Sequence, residues 1–211
     1  MTTPVEFNDD FRETSIGTFP KNWEITTIGE LFDIQQGKSL SPKHREGKSP
    51  HPFLRTSNVY WGQIDLTTLD QMDFTPDEVA KMALQLGDLL TCEGGDIGRT
   101  AMWRGEMENC CYQNHLHRLR ASRKDVYPEF FMYWLQAAFT LLGLYGGEGN
   151  RTTIPNLSQG RLKTFQVPKP PLPEQRAIAE TLSAARRDME ATEAVIAAAR
   201  ETKRALMKHL F

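Results

Sequence analysis

The C-terminal stretch constrains this chain more than any other. It follows a proline-rich run, Val167-Pro-Lys-Pro-Pro-Leu-Pro173, and residues 174–211 contain neither proline nor glycine. That composition predicts one uninterrupted helix. Pro173 suits the first helical position, where its missing N–H is no loss. Glu174 sits beside the positive end of the helix dipole, and Lys203, Arg204, Lys208 and His209 sit beside the negative end. About 38 residues at the α-helical rise give a rod roughly 57 Å long.

The apolar residues of this segment repeat as a narrow seam. With Leu182 at heptad position a, Met189, Ile196, Lys203 and Leu210 also fall at a. Ile178, Ala185, Thr192, Ala199 and Leu206 fall at d. A two-position stripe held over about four heptads is the pattern of a coiled coil. The small residues at d permit close approach of a partner, and Lys203 is a polar interruption of the kind that sets register. Arg176/Glu180 and Arg186/Glu190 are one turn apart and suit a solvated face. The alternative is a terminal helix folded back on its own domain, but so narrow a seam buries little against a single domain. With no second helix of similar length in the sequence, the partner is expected from another copy or another protein.

Composition bounds the remainder. A chain of 211 residues can hold one sizeable domain plus an appendage. The net charge of −2 excludes a polycation that holds nucleic acid by total charge alone. Local charge is uneven. Residues 1–33 carry Arg12 and Lys21 against seven acids, whereas residues 34–60 carry Lys38, Lys43, Arg45, Lys48 and Arg55 against Glu46 alone. A basic loop among acidic neighbours fits local recognition of a polyanion. Three cysteines, two of them adjacent, make no disulfide framework and suit a reducing cytoplasm. The polar, acidic N-terminus is no signal peptide. The most apolar run, 130–144, is too short to span a bilayer.

Taken in order, residues 1–20 read as a mobile or loosely docked arm and 34–50 as a loop rich in Gly, Ser and Pro. Phe53–Tyr60 reads as a strand. Thr75-Pro-Asp-Glu78 opens a short helix through a capping box and should end near Gln85. Strands are expected at Leu86–Glu93, Thr100–Trp103 and Cys110–Arg120, the first two joined by a tight turn at Gly94–Arg99. Asp125–Tyr145 reads as a buried helix, Asn156–Leu162 as one helical turn and Thr164–Val167 as a short strand. The composite is an α+β fold: one globular domain with a mixed or antiparallel sheet, followed by a long coiled-coil helix.

Catalytic signals are weak. The glycines of Gly94-Gly-x-Ile-Gly98 have neither dinucleotide-fingerprint nor P-loop spacing, and a hairpin needing positive φ explains them. Cys92, Cys110, Cys111, His115 and His117 lack the paired spacing of a structural zinc site, so no metal is assigned. No nucleophile sits in an activation motif. What remains is a set of polar and basic loop residues suited to phosphates and base edges. The set is Lys38, Ser39, Lys43, His44, Arg45, Lys48, Arg55, Ser57, Asn58, Gly95, Arg99, Asn114, Asn150 and Arg151. A solvated loop surface is the bland alternative.

Several segments together resemble one family. They are Phe19-Pro-Lys-Asn-Trp-Glu24 with Ile28-Gly-Glu30, Gly87-Asp-Leu-Leu90, Gly94-Gly-Asp-Ile-Gly-Arg99, Gln113-Asn-His115 with Arg118-Leu-Arg120, and Ile154-Pro-Asn-Leu157. The last is Pro168-x-Pro170-Pro-Leu-Pro-Glu-Gln175, leading to Lys203-Arg-Ala-Leu-Met-Lys208. In that order they resemble the specificity subunit of type I restriction-modification systems. The resemblance implies a DNA-reading target recognition domain over 1–170 and a conserved spacer helix over 171–211. It further implies a non-catalytic subunit without cofactor of its own. Methyltransferase subunits carrying S-adenosylmethionine and ATP-driven endonuclease subunits are the implied partners, beside double-stranded DNA. The family subunit carries two recognition domains and two helices, whereas this chain has one of each. A homodimer through antiparallel helices, reading a bipartite palindrome, is therefore expected. The alternative is an interaction protein that occupies methyltransferase subunits, or a full-length specificity subunit, without reading DNA.

Overall fold

Alternating apolar residues in short strands build the centre of the molecule. In the computed structural model, which describes residues 10–39, 49–145 and 156–210, β9 (Leu89–Cys92) and β12 (Leu116–Ala121) pair antiparallel between β10 (Thr100–Met102) and β4 (Phe32–Gln36). The period of two sends successive side chains to opposite faces. Leu89 and Leu119, partners in register, enter one core with Phe131 and Leu135. Leu90, Cys92 and Leu116 enter a second core with Leu54, Trp103 and Tyr112. Burial on both faces explains why β9 is apolar almost throughout.

The first core is closed by α3 (Pro128–Thr140), whose Phe130, Phe131, Met132 and Leu135 are buried. This helix is shorter at both ends than the expected Asp125–Tyr145, because Pro128 opens it and Leu141 and Leu142 lie exposed beyond it. On the other side of the central sheet, β11 (Cys111–Tyr112) pairs parallel with β5 (Pro50–Leu54), which pairs antiparallel with β8 (Asp70–Asp73). The helix α2 (Pro76–Met82) follows β8, and its Thr75–Glu78 capping box forms as expected. It ends before Gln85.

Three expectations are corrected. Residues 11–20, expected to be a mobile or loosely docked arm, form the regular hairpin of β1 (Phe11–Thr14) and β2 (Gly17–Pro20), tied down by Arg12 donating to the Trp23 carbonyl at 2.7 Å. The single strand expected over Cys110–Arg120 is two strands in different sheets, turned at Gln113–His115 by the Leu116 N–H donating to the Gln113 carbonyl. Alternation continues through that turn, so periodicity alone cannot reveal the break. The strand expected over Phe53–Tyr60 is interrupted by a 3-10 turn at Thr56–Asn58. Its cause is the buried Asn58 side chain, which accepts from the Arg55 N–H at 2.9 Å and donates to the Asp65 and Thr68 carbonyls. Beyond it, β6 (Val59–Tyr60) and β7 (Gln63–Ile64) make a small hairpin.

The ends of the domain meet in sequence-distant pairs. β3 (Glu24–Thr27) pairs with β13 (Gln166–Lys169), while α1 (Ile28–Leu31) and α4 (Gln159–Thr164) pack side by side. The terminal helix α5 runs unbroken over Leu172–Leu210. Its first turns are docked. Gln175 is wholly buried, accepting from the Tyr127 N–H at 2.8 Å and donating to the Pro170 and Asp125 carbonyls at 2.7 and 3.0 Å. Ala179 and Ser183 are buried one and two turns further, and Arg186 donates to the Gly62 carbonyl. From Arg187 to Leu210 every residue is exposed.

Candidate nucleic-acid interface

One end of the central sheet gathers most of the described candidate residues. β4 and β9 finish there, at Gln36 and Cys92, and β10 and β12 begin there. The strand ends are crossed by backbone and side-chain hydrogen bonds. Gln36 donates to the Glu93 carboxylate at 3.0 Å and to the Asn114 carbonyl at 2.8 Å. The Asn114 N–H donates to the Lys38 carbonyl, and the Leu157 N–H to the Glu93 carbonyl. Lys38, ahead of segment 40–48, and Leu157, after segment 146–155, therefore meet at one rim.

The turn Gly94–Arg99 lies on this rim and is the hairpin its glycines predict, with Gly95 and Gly98 at φ of +75° and +82°. The Phe139 ring occupies the space a Gly98 side chain would need. Gly37 is held the same way: a Cβ there would meet the Tyr112 and Gln113 carbonyls. Arg99 is fixed by three contacts. Its guanidinium donates to the Thr56 carbonyl at 3.0 Å, pairs with Asp96 at 3.0 Å and lies 5.5 Å over the Tyr60 ring. This places the 94–99 turn against the 3-10 turn that presents Arg55 and the exposed Ser57. Arg55 itself pairs with Asp70 at 2.6 Å.

The candidates thus divide. Arg55, Ser57, Gly95, Arg99 and Asn114 share the rim, and Ser39 follows Lys38 at its edge. Lys38 and Asn58 are committed to the fold. The Lys38 ammonium is buried, donating to Glu78 at 2.6 Å and to the Asp73 carbonyl at 2.8 Å over the Phe74 ring. This ion pair, with the Thr75 N–H, holds the Glu78 carboxyl below its ordinary range. Lys43, His44, Arg45, Lys48, Asn150 and Arg151 lie outside the described residues. The cations Lys38, Arg55 and Arg99 are each paired with a carboxylate.

Sequence reasoning missed Gln36, Tyr60 and Glu93 at this rim. Tyr60 is 46% exposed beside Arg99, an aromatic face and a guanidinium in one place. Its signal in the sequence was an aromatic residue at the end of a polar turn.

The cysteines are structural. Burial pushes the Cys92 thiol up to about 11 and those of Cys110 and Cys111 up to about 12. His117 is buried, its Nε2 2.9 Å from the Leu157 carbonyl, and burial keeps its pKa below the ordinary histidine value. Among the described residues no group of three His, Cys, Asp or Glu side chains is placed to hold a metal ion. Nor is any helix among them long and apolar enough to cross a membrane.

Comparison with known proteins places this arrangement. The profile of the type I restriction modification DNA specificity domain matches residues 20–198. The chain belongs to that family. It is 26% identical over 208 residues to a Methanocaldococcus jannaschii protein described as the MjaX specificity subunit of a type I restriction enzyme, covering 96% of this chain and 48% of that one. The MjaIX specificity subunit of the same organism is 24% identical over 179 residues, covering 82% of this chain and 40% of its own length. The chain therefore spans less than half the length of these curated relatives. Among solved structures, the HsdS subunit from Thermoanaerobacter tengcongensis superposes with a TM-score of 0.60 at 22% identity, over 86% of this chain and 41% of that one. A chain from a type I R-M system assembly gives 0.61 at 23%, over 82% and 40%. These likenesses establish the shared fold.

Proposed function

We propose that this chain is the DNA-reading half of a type I specificity subunit, residues 1–170 serving as target recognition domain and 171–211 as spacer helix. It performs no chemistry. The rim of the central sheet faces the duplex, and Lys43, His44, Arg45, Lys48, Asn150 and Arg151 are further DNA-contacting residues in this reading. Arg55, Ser57, Arg99 and Asn114 supply groups suited to base edges and phosphates. A second copy provides the partner helix, so that two recognition domains read a bipartite palindrome, protein symmetry being mirrored in the site. The assembly docks methyltransferase subunits, which bring S-adenosylmethionine, and endonuclease subunits that use ATP.

One observation carries this reading. The Leu182/Met189/Ile196 edge is 42%, 63% and 45% exposed, so the seam is open from Leu182 outward, while Ile178, its first apolar residue, packs half-buried against the first core. The test is a titration of duplex DNA with the chain plus its methyltransferase subunit, over a salt series. Binding should fall steeply with salt and prefer the host's modified motif by about 10³-fold or more over random duplex. Binding of the methyltransferase subunit without any sequence preference would instead support the interaction-protein reading. Replacing Lys43 and Arg45 by Ala should weaken binding about equally on all sequences and flatten the salt slope by up to about two.

A further inference from the structure

The free length of α5 carries a self-complementary pattern. Along it, Asp188, Glu190 and Glu193 form an acidic segment, and Arg200, Lys203, Arg204 and Lys208 a basic one interrupted only by Glu201. All of these are exposed, and the seam between them is uncovered: Met189 is 63% and Leu206 56% exposed. A copy lying parallel and in register would set Lys203 against Lys203 and acid beside acid. A copy lying antiparallel sets the acidic segment beside the basic one, twice.

Resting on the self-association proposed above, we infer that the second copy docks in one register, with the two-fold axis passing between Ala197 and Ala198. In an antiparallel coiled coil each a residue packs opposite a d residue. About this axis Ile196 meets Ala199, Leu210 meets Ala185 and Met189 meets Leu206. Two of these layers set a large side chain against an alanine, which suits interlocking at a close separation. The two polar seam residues, Lys203 and Thr192, fall opposite each other. The lysine stem packs in the seam while its ammonium reaches the rim.

The flanks agree. Glu193 and Arg200 both lie at position e, on the same face of an antiparallel pair, and stand about 3 Å apart along the axis in this register. Sliding by one heptad in one direction sets Glu193 beside its own copy and Arg186 beside Arg200, with Lys203 against Ala185. Sliding in the other sets Arg200 beside its own copy, with Lys203 against Ala199. Of the three registers, only the central one sets Lys203 against a polar seam residue and Glu193 beside Arg200. It also places the two Arg186 residues, the last body contacts, about 35 Å apart along the rods, on the scale of one turn of B-DNA.

The register is tested by charge exchange in the full-length chain, measured by sedimentation equilibrium. E193R alone should set arginine beside Arg200 twice and weaken self-association about tenfold or more. R200E alone should do the same by setting glutamate beside Glu193. An equimolar mixture of E193R and R200E should recover wild-type affinity as a heterodimer, and so should the chain carrying both substitutions. Both sites lie on the exposed rod beyond Arg186, so the fold of the body is not at stake. A wild-type dimer unaffected by either substitution would overturn the register and leave self-association standing. A wild-type chain that stays monomeric at about 100 µM, a concentration at which even weak self-association shows, would remove both.

Discussion

The two halves of α5 are one helix with two fates. From Leu172 to Arg186 it is held by the body, and from Arg187 to Leu210 every residue is exposed. The docked half presents a stripe of Gln175, Ala179, Ser183 and Arg186, small or polar residues that all find partners. Ser183 donates to the Glu129 carboxylate at 2.8 Å and lies 3.0 Å from the Tyr133 hydroxyl, while Arg104 pairs with Glu129 at 2.6 Å. Glu174 accepts from the Trp23 indole at 2.8 Å. The free half presents large apolar residues and no such partners. Directional hydrogen bonds fix the orientation of a helix on its domain, whereas a bare apolar seam stores association free energy for another chain. In the heptad Gln175 falls at a and Ala179 and Arg186 at e, so the docked stripe adjoins the seam, and the two contacts are separated along the rod rather than around it.

This contrast can be broken most strongly by truncating apolar residues in each environment. Leu135→Ala, in the first core, should cost about 2–5 kcal/mol in urea denaturation. Leu206→Ala, on the free rod, should change the stability of the dilute monomer by less than about 0.5 kcal/mol. Comparable losses at the two sites would mean that the rod is covered by its own chain.

The next effect concerns the docked half. Gln175→Ala strands one N–H and two carbonyls at the base of the helix, and should cost about 1–3 kcal/mol. Amide hydrogen exchange should then speed up over 175–186. In the wild-type chain at low concentration those amides should outlast the ones in 187–210, and raising the concentration should slow exchange in the outer segment.

The smallest effect is with pH. Burial would raise the Glu129 pKa, but the Arg104 guanidinium and Ser183 hydroxyl outweigh it and hold the carboxyl below its ordinary value of 4.5. A lowered folded-state pKa stabilises the fold above about pH 4.5, and this contribution disappears as pH falls through the lowered value. Glu129→Gln should therefore flatten the acid limb of the stability profile. His117 acts in the same sense. Its neutral form is favoured by burial, so stability should decline as pH drops below 6.5.

Much of the architecture was legible because local rules were strong. The Thr75 capping box, the positive-φ glycines at 95 and 98, the apolar α3 and the unbroken terminal helix all follow from chemistry within a few residues. The errors fell where distant groups decide. The hairpin at 11–20 depends on Trp23 and Gln166. The break in Cys110–Arg120 depends on β5 competing for Cys111 and Tyr112, and the 56–58 turn on a loop up to ten residues away. The candidate site was legible in kind and not in detail. Lys38 and Asn58 look like surface polar residues in sequence, yet only folding brings Glu78, Asp73, Asp65 and Thr68 to consume them.

The amino-acid order by itself determined the rod, its heptad seam and the acid-to-base progression along it, since a helix presents residues by spacing alone. Tertiary structure decided where that rod stops being docked, and which loop residues meet at one rim. Both depend on buried hydrogen bonds between residues far apart in the chain, such as Gln175 with Tyr127 and Arg99 with Thr56, and no local periodicity encodes those.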